Sequence, residues 1–222
     1  MSVELPFPAP SDLGFLAIIP LVLASLVVAP ISRLHAASRV RRIIDAVVLG
    51  WSVMLVVWAT ALYPVLEDVL GTGLLRGTVS VAYPTGDILV LSALIVALLG
   101  ARASWRPALA NYSAAFGCLL LADGGFAYLT ALDRYRTGSW VDTGWTVAFA
   151  LLAIGAASAP LTVPQTDLEV APEDARATWL ISAALAVSLV ATVLQETRRE
   201  PLAEHPLLLV LLVGVLGSVM AR

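Results

Sequence analysis

Residues 79–101 read VSVAYPTGDILVLSALIVALLGA, with one charged residue, Asp87. At about 1.5 Å per residue, a helix of this length extends about 34 Å. The hydrocarbon core of a bilayer is about 30 Å thick and takes about twenty apolar residues to cross. A strand of a membrane barrel alternates apolar and polar residues over segments of about ten, whereas this run is solidly apolar from Ile88 onward. The stretch therefore predicts a transmembrane helix.

Six more apolar runs flank it, at 13–31, 43–63, 108–132, 141–159, 177–195 and 206–221, the last being the shortest. The whole chain of 222 residues is 59% hydrophobic and 13% charged, with a mean hydropathy of +0.91. Soluble domains carry about 25% charge. Residues 1–222 are thus expected to form a single all-α domain, a polytopic transmembrane bundle of about seven helices. The run at 13–31 is preceded by Glu4 and Asp12 and by no basic residue. A secretory leader starts positively charged, so this run is read as a true span.

Composition removes several classes of function. All 13 basic residues are arginine, so a retinal Schiff base, which needs a lysine, is excluded. The one cysteine, Cys118, lies in an apolar run and makes no intrachain disulfide. A net charge of −3 gives no reason to expect nucleic acid as a partner. No ligand spacing for a metal, Gly-rich phosphate loop, HExxH or nucleophile elbow is present. His35 and His205 fall on opposite sides of the expected topology. No catalytic residue, metal or cofactor is therefore expected, and the lipid bilayer is the one partner that composition demands.

Arginine placement orients the chain. With the N-terminus outside, Arg33, Arg39, Arg41, Arg42, Arg102, Arg106, Arg176 and Arg222 fall on the cytoplasmic side. Arg76, Arg134, Arg136, Arg198 and Arg199 fall outside. Eight against five follows the positive-inside rule, and the C-terminus is then cytoplasmic.

Three segments repeat one pattern of turn, aspartate and apolar run: Ala9-Pro10-Ser11-Asp12, Tyr83-Pro84-Thr85-Gly86-Asp87 and Gly138-Ser139-Trp140-Val141-Asp142. Proline and glycine break the chain before each helix, and the aspartate suits the positive end of the helix dipole. Capping accounts for Asp12. For Asp87 and Asp142 two readings stand: helix caps, or carboxylates of a pocket at the outer end of the bundle. Asp45, after Arg41 and Arg42, reads as a local ion pair or cap.

Asp123 differs, lying inside an apolar helix in Leu119-Leu120-Leu121-Ala122-Asp123-Gly124-Gly125-Phe126. It is about nine residues, roughly 13 Å, from the outer end of that helix. An ionisable residue at this depth faces the bundle interior, and Gly124 and Gly125 allow a neighbouring helix to approach closely. Asp123 is then either a lock on helix packing or a sensing, proton or ligand site. Tyr83, Tyr128, Trp140 and Trp145 are expected at similar depth. They form either an interfacial aromatic belt or the walls of a pocket shared with Asp87, Asp123 and Asp142.

Several of these segments resemble the N-terminal multi-helix membrane region of actinobacterial cyclic-di-GMP signalling proteins with GGDEF and EAL domains. The similarity is carried by Pro10 to Phe15, by Arg41-Arg42-Ile43-Ile44-Asp45 and by Tyr83 to Asp87. It continues through Ala122-Asp123 with Phe126-Ala127-Tyr128, and through Gly138, Ser139, Trp140, Asp142 and Trp145. It covers residues 8 to 160. Two departures from the family pattern stand: family members usually have further helices before the stretch matching Asp12, and they carry soluble output domains, neither of which this sequence contains. The resemblance implies a sensory, input or anchoring module of a bacterial plasma membrane that regulates a cytoplasmic GGDEF or EAL partner and pairs as a homodimer. Two other readings stand beside it. One is a small transporter or proton-linked permease using Asp123. The other is an intramembrane enzyme using Asp87, Asp123 and Asp142.

Overall fold

Residue 87 sits in the middle of a helix, not at the start of one, and the bundle is arranged around that helix. The computed structural model describes residues 8–28, 36–57, 74–161 and 183–188. They form α1 (Pro10–Val28), α2 (Ala36–Val57), α3 (Leu74–Leu99), a 3-10 turn (Ala103–Trp105), α4 (Arg106–Ala131) and α5 (Trp140–Ala157). Residues 183–188 are helical as well, and no strand occurs among the described residues. The expected helix at 206–221, and most of the one at 177–195, lie outside the described residues, as do His35 and His205.

Among the described residues, four segments are long and apolar enough to cross a membrane: α1, residues 77–99 of α3, residues 103–131 through α4, and α5. Together they have the character of a membrane protein. The outward-facing large side chains agree. Leu13, Leu21, Val28, Leu121 and Ile154 are all more than half exposed on the helix surfaces, where a soluble bundle would carry charge. α2 was expected to span from residue 43 and instead starts at Ala36. Its first turns hold Arg39, Arg41, Arg42 and Asp45, so it is not among the four. Asp45 is buried inside α2, in electrostatic contact with Arg42, as the ion-pair reading expects.

The starts of α1 and α4 and the turn between α4 and α5 have local causes. In α1 the Asp12 carboxylate accepts the Ala9 backbone N–H at 2.6 Å, satisfying one of the donors that a helix start leaves over. α4 opens with Pro107 in its first turn, where a missing N–H costs nothing. It ends at Leu132, after which Asp133 takes a left-handed conformation with φ 54° and the chain turns back. Gly138, with φ 90°, completes that reversal in a conformation open to a residue without Cβ.

The break expected at Tyr83-Pro84-Thr85-Gly86-Asp87 does not occur. α3 runs through Pro84 from Leu74, five residues before its expected start. In an apolar environment an interrupted helix leaves backbone groups with no water to bond, so continuity is favoured over the local preference of proline. The Thr85 hydroxyl donates to the Val81 carbonyl at 2.7 Å and helps satisfy this turn.

α3 packs against α1, α2 and α4, and α4 packs against α5. The core between α3 and α4 is built from Val90, Leu94, Leu109 and Phe116, with Ile19, Val22 and Leu23 of α1 laid against it. Small residues bring α4 and α5 together. A Cβ at Gly144 would stand 3.0 Å from that of Ala122, and one at Gly125 would stand 2.5 Å from the Trp140 ring. No described residue comes within 4 Å of a Cβ at Gly124, so among the described residues it is Gly125 of the glycine pair that serves close packing.

The bundle has two chemically distinct ends. At one, Arg42 donates to the Gly100 carbonyl at 3.4 Å and Arg106 to the Ala101 carbonyl at 3.3 Å, placing cations at the negative end of the α3 dipole. At the other, where α1 and α5 begin, stand Asp12, Asp142 and, deeper in, Asp123.

Candidate functional site

The carboxylate-bearing end contains a cavity of about 440 Å³. Four helices build it. α1 supplies Asp12 and Phe15, and α3 supplies Ser80 and Tyr83. α4 contributes Leu119, Asp123, Phe126 and Ala127, and α5 contributes Trp145 and Phe149. Phe15 and Phe149 are each 50% exposed and stand at its rim.

Each cavity carboxylate is fixed by an aromatic donor on a neighbouring helix. The Tyr83 hydroxyl donates to Asp12 Oδ1 at 2.6 Å, tying α3 to the start of α1. The Trp145 indole Nε1–H donates to Asp123 Oδ1 at 2.5 Å, tying α5 to the middle of α4. Hydrogen bonds from a donor to a charged acceptor are the short and strong kind. The Trp145 ring also packs against Phe126 with centroids 5.7 Å apart, so its orientation is held at both ends.

Behind the cavity, the Asp87 carboxyl lies within hydrogen-bonding reach of Asp123. Asp87 is 6% exposed, and its Oδ2 accepts no bond from any donor among the described residues. Two carboxyl groups share a hydrogen bond only when one of them carries a proton. The capping role considered for Asp87 is overturned by this placement, since a residue thirteen positions into a continuous helix has no free backbone N–H to cap.

Asp142 does act at a helix start. It sits in the first turn of α5 and accepts the Gly138 backbone N–H. It also accepts the Tyr135 hydroxyl, at 2.8 Å. Phe126 meets the Tyr135 ring edge-on with centroids 4.7 Å apart. Asp142 therefore closes the α4–α5 turn and does not line the cavity. Burial first, and then the bond to Asp142, pushes the Tyr135 phenol above its ordinary range. Tyr128 lies outside the cavity as well, 37% exposed on α4, as an interfacial aromatic would be.

Of the six residues singled out from the sequence, Tyr83, Asp123 and Trp145 line the cavity and Asp87 stands behind Asp123. Asp142 and Tyr128 do other work. Asp12, read only as a cap, both caps α1 and lines the cavity. Phe15, Phe126 and Phe149 went unrecognised because, in apolar runs, a cavity-facing phenylalanine has the same signature as a lipid-facing one. Among the described residues no group of three His, Cys, Asp or Glu side chains is placed to hold a metal ion.

No family model, curated protein or solved structure matches the chain.

Proposed function

We propose that the chain is a multi-pass protein of a bacterial plasma membrane that works as a sensory input module, with the cavity as its receiving site. The observation that carries this reading is the four-helix lining of one cavity. An occupant touching Asp12, Tyr83, Asp123 and Trp145 contacts α1, α3, α4 and α5 at once. A ligand shifts a conformational equilibrium only through contacts that differ between states, and a site shared by four helices offers such contacts. The asymmetry of the two ends supports an orientation with the carboxylate end outside and the arginine end in the cytoplasm. The full reading has about seven helices, a cytoplasmic C-terminus, a cyclic-di-GMP signalling domain of the GGDEF or EAL type as partner, and a homodimeric assembly. Its support is the similarity of the sequence segments given above.

The test is cellular cyclic-di-GMP in a host carrying the native neighbouring genes, with the wild-type chain and with Asp123→Asn at equal membrane abundance. A sensory module changes the level between the two. Equal levels reduce the chain to an anchor.

One observation favours a second reading, a proton-linked permease. Asp87 and Asp123 face each other inside the bundle, and paired intramembrane acids are the parts from which proton relays are made. Substrate accumulation in proteoliposomes under an imposed proton gradient separates transport from sensing.

A further inference from the structure

The cavity joins two carboxylates to an aromatic wall. Five of its lining residues are aromatic: Phe15, Tyr83, Phe126, Trp145 and Phe149. Two are acidic, Asp12 and Asp123, and among the described residues no basic side chain lines the cavity. An indole or benzene ring presents a negative face that attracts a cation, and rings grouped around a cavity are the common means of recognising organic ammonium ions. A neutral apolar ligand or a lipid tail gains nothing from the carboxylates, and an anion is repelled by them.

The hydrogen bonds reinforce this choice. Tyr83 of α3 donates to Asp12 of α1, and Trp145 of α5 donates to Asp123 of α4, so both acceptors are held in place in the cavity lining. The volume of about 440 Å³ falls within the usual range for small-molecule sites, about 300–1,000 Å³.

We propose that this cavity binds a hydrophobic organic cation, held between the carboxylates of Asp12 and Asp123 against the faces of Trp145 and Phe126. This names the ligand class for the receiving site of the preceding section and rests on that reading.

The test uses the purified full-length chain in a neutral detergent and two probes of the same shape and opposite charge, tetraphenylphosphonium and tetraphenylborate. Equilibrium dialysis measures saturable binding after subtraction of uptake by detergent alone. The expected result is saturable binding of the phosphonium and none of the borate. Asp123→Asn and Asp12→Asn, which retain acceptors for Trp145 and Tyr83, should each weaken phosphonium binding about tenfold or more. Asp133→Asn, an exposed acid at the same end outside the cavity, should leave it unchanged. Thermal midpoints of the variants within the wild-type range show that they fold.

Equal binding of the two probes would overturn the cation preference while leaving a receiving cavity in place. Saturable phosphonium binding unaffected by both asparagine variants would overturn the assignment to this cavity. Absence of any binding by either probe would overturn the cation site. A wild-type level of cyclic-di-GMP signalling response that still depends on Asp123 would then show that the sensory reading survives it.

Discussion

Trp145 and Asp123 lie on successive helices, 22 positions apart in the chain, and are joined by a 2.5 Å hydrogen bond from indole nitrogen to carboxylate. The bond crosses the α4–α5 interface at the cavity wall, so one contact serves both helix packing and the shape of the site.

Loss of this bond should be measurable without loss of the fold. Polar contacts between membrane helices are worth about 0.6 to 2 kcal/mol. Trp145→Phe keeps an aromatic face but removes the donor, and should destabilise the protein by about 1 kcal/mol. Asp123→Ala should cost more, since it leaves the indole N–H unpaired and opens space. Unfolding in mixed micelles by a denaturing detergent gives both values, and a Trp145→Phe chain as stable as wild type would remove the bond from the packing account.

Tyr83 is the link between α1 and the rest of the carboxylate end, through its 2.6 Å bond to Asp12. α1 has no fully buried residue, so it depends on such contacts more than the other helices do. Tyr83→Phe should loosen α1 selectively. Amide hydrogen exchange in residues 12–18 should rise several-fold, while α4 and α5 keep their protection.

Close approach of α4 and α5 at Gly144 predicts intolerance of larger residues there. A Cβ would sit 3.0 Å from Ala122 Cβ, so Gly144→Val forces the helices apart. Overpacking costs about 1–3 kcal/mol, seen as a lowered thermal midpoint. A Cβ at the neighbouring Gly124 meets no described residue within 4 Å, and Gly124→Ala should be neutral or slightly stabilising because alanine favours helix over glycine.

The α4–α5 turn should respond to alkali. Burial and the bond to Asp142 raise the Tyr135 phenol above its ordinary value near 10. A raised folded-state value favours the protonated form. The stability it contributes is fully present below about pH 10 and is lost as pH rises through the folded value. Stability measured from about pH 9 to about pH 12 should fall more steeply in wild type than in Tyr135→Phe, and parallel curves would show that Tyr135 does not report the turn.

The sequence made parts of this site visible for a physical reason. Asp123 stands out because a charged residue in an apolar run has few places to go, and Asp12 and Asp142 stand out because proline and glycine precede them. Both signals are local, and the structure places Asp12 and Asp142 at helix starts, bonded to backbone N–H groups. The reading failed at Asp87 because Tyr-Pro-Thr-Gly-Asp has the same local chemistry as a helix start. Inside a packed, apolar bundle the backbone stays hydrogen-bonded through Pro84 and places Asp87 beside Asp123. Whether Tyr128 and Trp145 belong to a belt or a pocket was undecidable in the chain, since the two readings demand the same residues at the same depth.

The sequence by itself determined that this is a helical membrane protein, because an apolar run of membrane length has no other way to satisfy its backbone. It also determined which carboxylates stand out, since each is a charge set against an apolar background. Only the tertiary structure decided which of them meet. Asp12 with Tyr83 and Asp123 with Trp145 are paired by the packing of α1 on α3 and of α5 on α4, and Asp87 is turned to Asp123 by the continuity of α3. Helix rotation and interhelical distance set such encounters, and they depend on how small residues such as Gly125 and Gly144 let neighbouring surfaces fit.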